Sequence, residues 1–412
     1  MFTHDERNNY NGRTLDYIDW YKTHVVLLTG ATGSLGSCLL YKLALQLPTT
    51  RIYVLCRGTI NDAIQKWESA MPEQIDEILD SGKIRFIRGN MGHDDFGIAP
   101  SELECIQNAV TVVLHAAANI SLGQSLVESI HNDCLPVVRL ARLVQTFKKI
   151  KLFVHISSTF AQMHLPAGQV PERVCRIDSG EPTAQMQLKT ILATGRSAYA
   201  PHFITPYAQA KYLAEQLLLE FEDSFPILII RPSSISPAVR DPFPLYAPDG
   251  AIPLHTFLAV SIARGYDINE LINGLPQHYI FDEIPVDLVA NVCLLHMAAG
   301  TTGIVHAAAQ LYVTMTIGDY VAKTRQYAPR DLLERGAAHT TAQGEARALP
   351  LEFHKFLLEE WRDWIFDCGR SDIIRATTGP LGLGTVEEHE DLFQERVKRW
   401  SKRFSSLLGA AV

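Results

Sequence analysis

Tyr207 and Lys211 stand four residues apart in Tyr207-Ala208-Gln209-Ala210-Lys211. On a helix that spacing puts both side chains on one face. Upstream, His155-Ile156-Ser157-Ser158-Thr159 closes an apolar run with a cluster of hydroxyls. A phenol, an ammonium and a hydroxyl together can deliver a proton to a carbonyl oxygen. A free phenol ionises near pH 10, and a neighbouring cation favours the phenolate and lowers that value. The expectation is that Lys211, together with the positive nicotinamide of the oxidised cofactor, lowers Tyr207 in this way. Tyr207 then donates its proton to a carbonyl oxygen as hydride reaches the carbon, while Ser158 hydrogen-bonds the same oxygen. A Tyr–Lys pair at this spacing is a common coincidence; its place, at the start of a helix downstream of the serines, gives it weight.

A hydride donor needs its own site, and Thr29-Gly30-Ala31-Thr32-Gly33-Ser34-Leu35-Gly36 has the pattern for one. The loop follows a short apolar run, Val25-Val26-Leu27-Leu28, and opens a helix. Gly30 permits the tight turn, Gly33 lets backbone amides approach a pyrophosphate, and Gly36 lets helix and strand pack closely. The helix N-terminus adds free N–H groups and a positive dipole end. An acid at the end of the second strand normally binds the ribose 2′-hydroxyl of NAD. Here Leu55-Cys56-Arg57-Gly58 offers none. Arg57 suits a 2′-phosphate instead, so the expected cofactor is NADPH. Lys211 is expected also to anchor the nicotinamide ribose.

The elements that must hold these groups are legible as an alternation. Strands are expected at 25–28, 51–56, 83–88, 110–115, 152–156 and 227–230. Helices are expected at 34–47, around 60–80, 101–108, 124–149 and 207–222. This pattern predicts an α/β fold with a Rossmann-type, doubly wound parallel sheet. Residues 1–24 read as an N-terminal arm and 25–240 as the dinucleotide-binding domain. Residues 164–206 interrupt the alternation and read as a lid-like insertion above the carboxyl ends of the strands. Residues 241–412 read as a smaller, mostly helical substrate-side region. Within it, helices are expected near 254–264 and 287–299, a strand near 303–308, and mostly helix over 351–407.

The chain has 412 residues, 47% hydrophobic and 20% charged, with a formal net charge of −8. That composition excludes a disordered or fibrous chain and argues against nucleic acid as a partner. Seven cysteines in no metal-binding spacing fit a reducing compartment and no structural zinc. His93, His115 and His155 are not spaced as ligands, and no metal is expected. No apolar leader and no run long enough for a membrane span are found. The expected location is cytoplasmic.

The glycine loop, the Ser-Ser strand end and the Tyr–Lys pair resemble the extended short-chain dehydrogenase/reductases. More narrowly, Phe153 to Phe160, Ile230-Arg231-Pro232-Ser233-Ser234-Ile235 and Ile284-Pro285-Val286-Asp287 resemble fatty acyl-CoA reductases and the thioester-reductase domains of assembly lines. The resemblance runs from about residue 25 to 310. It implies Ser158, Tyr207 and Lys211 as the catalytic set, and His115-Ala116-Ala117-Ala118 as the fourth-strand cofactor wall. Asn90 and Met91 stand where the family has Asp-Leu at the adenine, so a charge is lost at Asn90. Pro232, Ser233 and Ser234 pass beside the nicotinamide. Asn132 matches a family asparagine with a helix-bending or water-holding role, and Asn119 is expected to face the same cleft in a capping or a substrate-binding role.

The implied activity is NADPH-dependent reduction of an acyl thioester to aldehyde, with further reduction to alcohol open, in a setting of secondary metabolism. The partners implied are an acyl-CoA, or an acyl-carrier protein or upstream synthase. One alternative is a ketone or aldehyde reductase, or a sugar-nucleotide epimerase, acting on a free small molecule. Another is a non-catalytic NADP-binding protein.

Overall fold

The computed structural model describes residues 17–93, 96–121, 123–177, 182–247, 276–329, 362–372, 375–383 and 389–409. Seven strands form one parallel sheet: β1 (Val25–Thr29), β2 (Arg51–Cys56), β3 (Ile84–Arg88), β4 (Val112–His115), β5 (Leu152–Ile156), β7 (Ile227–Pro232) and β10 (Gly303–Ala307). Their order across the sheet is β10-β7-β5-β4-β1-β2-β3. The chain therefore winds outward from β1 in both directions. That reversal is where such sheets bind ligands, beyond the carboxyl ends of the strands.

The alternation of side chains along β1 explains its place. Val26 and Leu28 enter the hydrophobic cluster on one face, and Leu27 enters the cluster on the other. A strand covered on both faces has no polar side, so it reads as a continuous apolar run. β3, at the sheet edge, is the exception and has exposed Arg85 and Arg88.

α1 (Ser34–Tyr41) continues as a π-helical turn through Lys42–Gln46. The helix expected over 60–80 is two, α2 (Ile60–Ala70) and α3 (Ile75–Asp80). Pro72 lies between them, where a helix interior would lose a hydrogen bond. After α4 (Pro100–Ala109), α5 (Leu126–Ser129) runs through a π-helical turn, Ile130–Cys134, into α6 (Leu135–Val144).

The described residues of the segment 164–206 are built into the fold. Its strand β6 (Gly168–Val170) pairs in parallel with β11 (Trp364–Phe366), and the Trp364 indole donates to the Leu165 carbonyl at 3.1 Å. α7 (Ala184–Thr194) follows, then α8 (Pro206–Leu219). Tyr199 and Phe203 pack on Tyr212 of α8. The described residues of the C-terminal region include strands as well as helices. A short pair, β8 (Ser234–Ser236) with β9 (Glu283–Pro285), precedes α9 (Val286–Ala298) and α10 (Ile317–Tyr327). β11 falls inside the stretch expected to be helix. α11 (Gly369–Asp372) and α12 (His389–Gly409) complete it. The helix expected at 254–264 lies outside the described residues.

The described end of the N-terminal arm is docked, with buried Tyr21 donating to the Leu294 carbonyl of α9 at 2.7 Å. Among the described residues no helix is long and apolar enough to cross a membrane.

Candidate active site

The glycine loop is shaped by close backbone approach. Gly30 has a φ of +73°, and a Cβ there would meet the Ala117 nitrogen at 2.5 Å. A Cβ on Gly36 would meet the Gly30 oxygen at 2.0 Å. Gly33 is the N-cap of α1, with no side chain over the free amides. The loop is fastened from behind, because Ser37 Oγ and Trp67 Nε1 both donate to the Ala31 carbonyl, at 2.9 and 2.8 Å. Thr29 Oγ1 lies 2.6 Å from His115 Nδ1 and accepts from the Ala117 amide at 3.4 Å, tying β1 to the wall formed by Ala116 and Ala117.

A cleft of about 950 Å³ opens beside this loop. Gly30, Thr32, Gly33, Arg57, Asn90, Met91, Ala116 and Ala117 line it. Ser34, Leu35 and Gly36 lie in the helix behind the turn, with Leu35 in the core. Asn90 Oδ1 accepts from the Gly92 amide at 3.0 Å and shapes its own turn. The carboxylate on the cleft wall is Asp62, and it accepts from the Thr59 amide at 2.8 Å as half of a capping box. It is thus committed to the α2 N-terminus. Arg57 and Lys66 add positive charge to the same wall. The α1 N-terminus, which no side chain caps, and this basic rim fit a phosphorylated dinucleotide.

Ser158, Tyr207 and Lys211 come together past β5. α8 starts at Pro206, with Thr205 accepting from the Ala208 amide at 3.2 Å. Proline at the first helical position and threonine as its cap fix the start of the helix. Tyr207 therefore lies in the first turn and Lys211 one turn on. Ser158 caps the short turn Thr159–Gln162, and its Oγ accepts from the Phe160 amide at 3.2 Å. The Ser158 hydroxyl also hydrogen-bonds with Tyr207. Lys211 is 1% exposed, and its Nζ donates to the Ile156 carbonyl at 3.2 Å, 5.8 Å from the Tyr207 ring centre.

The protein's own groups, without the nicotinamide charge, act on Tyr207 in the opposite direction. Tyr207 is 8% exposed, and its phenol is pushed above the usual range, chiefly by burial and then by the Asp133 carboxylate. Hydrogen bonding with Ser158 only partly opposes this. Burial in turn lowers the Lys211 ammonium, against the pull of Asp133, Glu215 and Cys134. Tyr207 is thus held as the neutral acid.

Sequence reasoning missed Glu215 and gave no role to Asp287. Glu215, fully buried on α8, accepts from Ser157 Oγ at 2.5 Å and from Arg231 Nε and Nη2 at 2.9 and 2.6 Å. The residue before Ser158, the helix of Tyr207 and the residue before Pro232 therefore meet on one carboxylate. Its position four residues after Lys211 was the available signal. Asp287, in the Ile284-Pro285-Val286-Asp287 stretch, accepts from the Val239, Arg240 and Asp241 amides at 3.0, 2.8 and 3.2 Å. That motif clamps the chain downstream of Pro232. Ser233 and Ser234 are held by backbone bonds, to the Ala307 carbonyl at 2.9 Å and the Asp282 carbonyl at 3.2 Å.

Asn132 is exposed and donates to Gln124 Oε1 at 2.6 Å. Its neighbour Asp133 is the residue turned inward by the π-helical turn, and it accepts from the Asn119 amide at 2.7 Å. Among the described residues no group of side chains could hold a metal ion.

The fold resembles solved reductase domains. The terminal R domain of the myxalamid PKS-NRPS pathway superposes with a TM-score of 0.59 at 18% identity, over 92% of this chain and 91% of that one. The reductase (R) domain of a nonribosomal peptide synthetase from Mycobacterium tuberculosis gives 0.60 at 16%, over 95% and 96%. In sequence, fatty acyl-CoA reductase 2 of Homo sapiens is 26% identical over 300 residues, covering 67% of this chain and 54% of that protein. The chain therefore spans about half the length of such relatives. The family model described as male sterility protein matches residues 28–293, a stretch that holds the glycine loop, the serine, the Tyr–Lys pair and the Asp287 clamp. The protein is a member of the male sterility protein family, with the extended short-chain dehydrogenase/reductase fold.

Proposed function

We propose that this protein is an NADPH-dependent reductase acting on the carbonyl of an acyl thioester. The observation that carries the reading is a neutral, buried Tyr207 beside Ser158 and Lys211 at the carboxyl end of β5. The reductase names of its relatives and neighbours support it.

Bound NADPH supplies the hydride. The Gly33 turn and the α1 amides would hold its pyrophosphate, and Arg57 with Lys66 its 2′-phosphate. Ser158 donates a hydrogen bond to the thioester oxygen and fixes the carbonyl. Tyr207 shares its proton with that oxygen as negative charge develops. Lys211, pinned by the Ile156 carbonyl, keeps a positive charge next to the phenol. Collapse of the resulting oxyanion breaks the carbon–sulfur bond. The thiolate takes a proton and leaves, so one hydride and one proton convert thioester to aldehyde and thiol. A second hydride and proton convert aldehyde to alcohol.

The test offers the protein NADPH with acyl-CoA, acyl-pantetheine, acyl-carrier protein, aldehyde and ketone substrates. Consumption of NADPH matched by free thiol supports the proposal. Turnover of ketones with no thiol released from any thioester would replace it with the carbonyl-reductase alternative.

A further inference from the structure

Asp133 is a buried carboxylate with only half its capacity used. It is 2% exposed on the π-helical turn Ile130–Cys134, which packs against α8. Oδ1 accepts from the Asn119 amide at 2.7 Å, while Oδ2 is buried without a hydrogen-bond partner in the protein. π-helical turns tend to occur at functional sites, because the extra residue reorients a side chain. An acceptor for one amide needs no charge, since a neutral asparagine would serve. A buried carboxylate is costly unless it faces opposite charge. Its turn packs on α8, the helix of Tyr207 and Lys211, and although burial raises the Asp133 carboxyl, the Lys211 ammonium and the Asn119 amide oppose that rise.

We propose that Asp133 is a positioning residue of the active site, whose negative charge keeps Lys211 an ammonium and Tyr207 a loaded acid through the alkaline range. The inference rests on the reductase reading for its consequence. The surroundings are consistent with it. Lys211 faces Asp133 and Cys134 from the π turn, Glu215 on its own helix, His115 from β4 and His155 from β5. Burial and Lys211 itself hold both histidines neutral. The other carboxylate, Glu215, is already occupied by Arg231 and Ser157. Asp133 is thus the carboxylate facing Lys211 with an uncommitted oxygen. Tyr207 faces Asp133, Ser158 and Lys211.

The sign follows directly. Removing the carboxylate lowers the proton affinity of both Lys211 and Tyr207, so the competent state is lost at lower pH. Asp133→Asn keeps the shape and the bond from Asn119. NADPH affinity, followed by its fluorescence from neutral to alkaline pH, reads the state of Lys211 without substrate. In Asp133→Asn the fall in affinity is expected about one pH unit or more below that of the unsubstituted protein, with the alkaline limb of kcat moving the same way. An unchanged midpoint, or an equal loss at every pH, would overturn the proposal. If the unsubstituted protein binds NADPH but reduces no carbonyl, the reductase reading fails and the affinity profile still decides the role of Asp133.

Discussion

At the scale of single residues, the account depends on which protons are held where. The spacing of Tyr207 and Lys211 announces a pair on one helical face, and the structure brings them together with Ser158. It could not announce that burial, with Asp133 beside it, would push the phenol up. Desolvation disfavours any charged phenolate, and Tyr207 is nearly closed off from solvent. Tyr207→Phe should cut turnover by about 100-fold or more, the usual scale for losing a positioned acid, with NADPH affinity close to unchanged. Turnover near that of the unsubstituted protein would remove Tyr207 from the chemistry. Arg57→Ala should raise the KM for NADPH about tenfold or more, as expected for a lost charge-assisted bond. The KM for NADH should barely move, and an equal effect on both would place Arg57 outside the 2′-phosphate site. Asp133 was invisible in the sequence for a geometric reason. An ordinary helix pattern does not reveal the π turn that directs Asp133 inward and leaves Asn132 exposed.

At the scale of elements, the strands near the site were legible because their function is burial. β1, β4, β5 and β7 are buried almost throughout and therefore read as mostly apolar runs, interrupted toward their carboxyl ends by Thr29, His115, His155 and Arg231. β11 was hidden because it is three residues long and its partner, β6, lies far away in sequence within the insertion. Glu215 and Arg231 join α8, β5 and β7 as an ion pair with both side chains at 0% exposure. Removing one partner leaves a buried charge, which typically costs about 3–5 kcal/mol. Glu215→Ala should lower the melting temperature clearly and reduce kcat by loosening Ser157. A stability within about 0.5 kcal/mol of the unsubstituted protein, the scale of a neutral surface change, would show that the pair does not brace the site. The described part of the 164–206 insertion is anchored through β6 and β11, and we propose that it covers the acyl substrate. Trp364→Ala, which removes the bond to Leu165, should therefore change the KM for acyl substrates more than the affinity for NADPH.

At the scale of the whole molecule, the seven-stranded sheet sets the site at its strand-order reversal and also sets a pH limit. Burial lowers His115, His296 and His306 to about 3 and His164 and His389 to about 4, from 6.5. A histidine held neutral by folding contributes stability above its unfolded value, and that contribution is lost as pH falls. Burial raises Glu172 to about 7 and Asp282 to about 6, and these act in the opposite sense, losing stability as pH rises between their unfolded and folded values. With more histidines than acids, the melting temperature should fall below about pH 6.5, and His296→Gln should flatten that fall. A melting temperature that rises steadily toward pH 5 would contradict the balance. The central claim is hydride delivery to a thioester carbonyl from a site built by Ser158, Tyr207 and Lys211. Its most direct measurement is paired counting of NADPH oxidised and thiol released from an acyl thioester by the unsubstituted protein and by Tyr207→Phe. The account predicts equal amounts in the former and near-background amounts in the latter; thiol release without NADPH oxidation, or the same rate in both proteins, would contradict it.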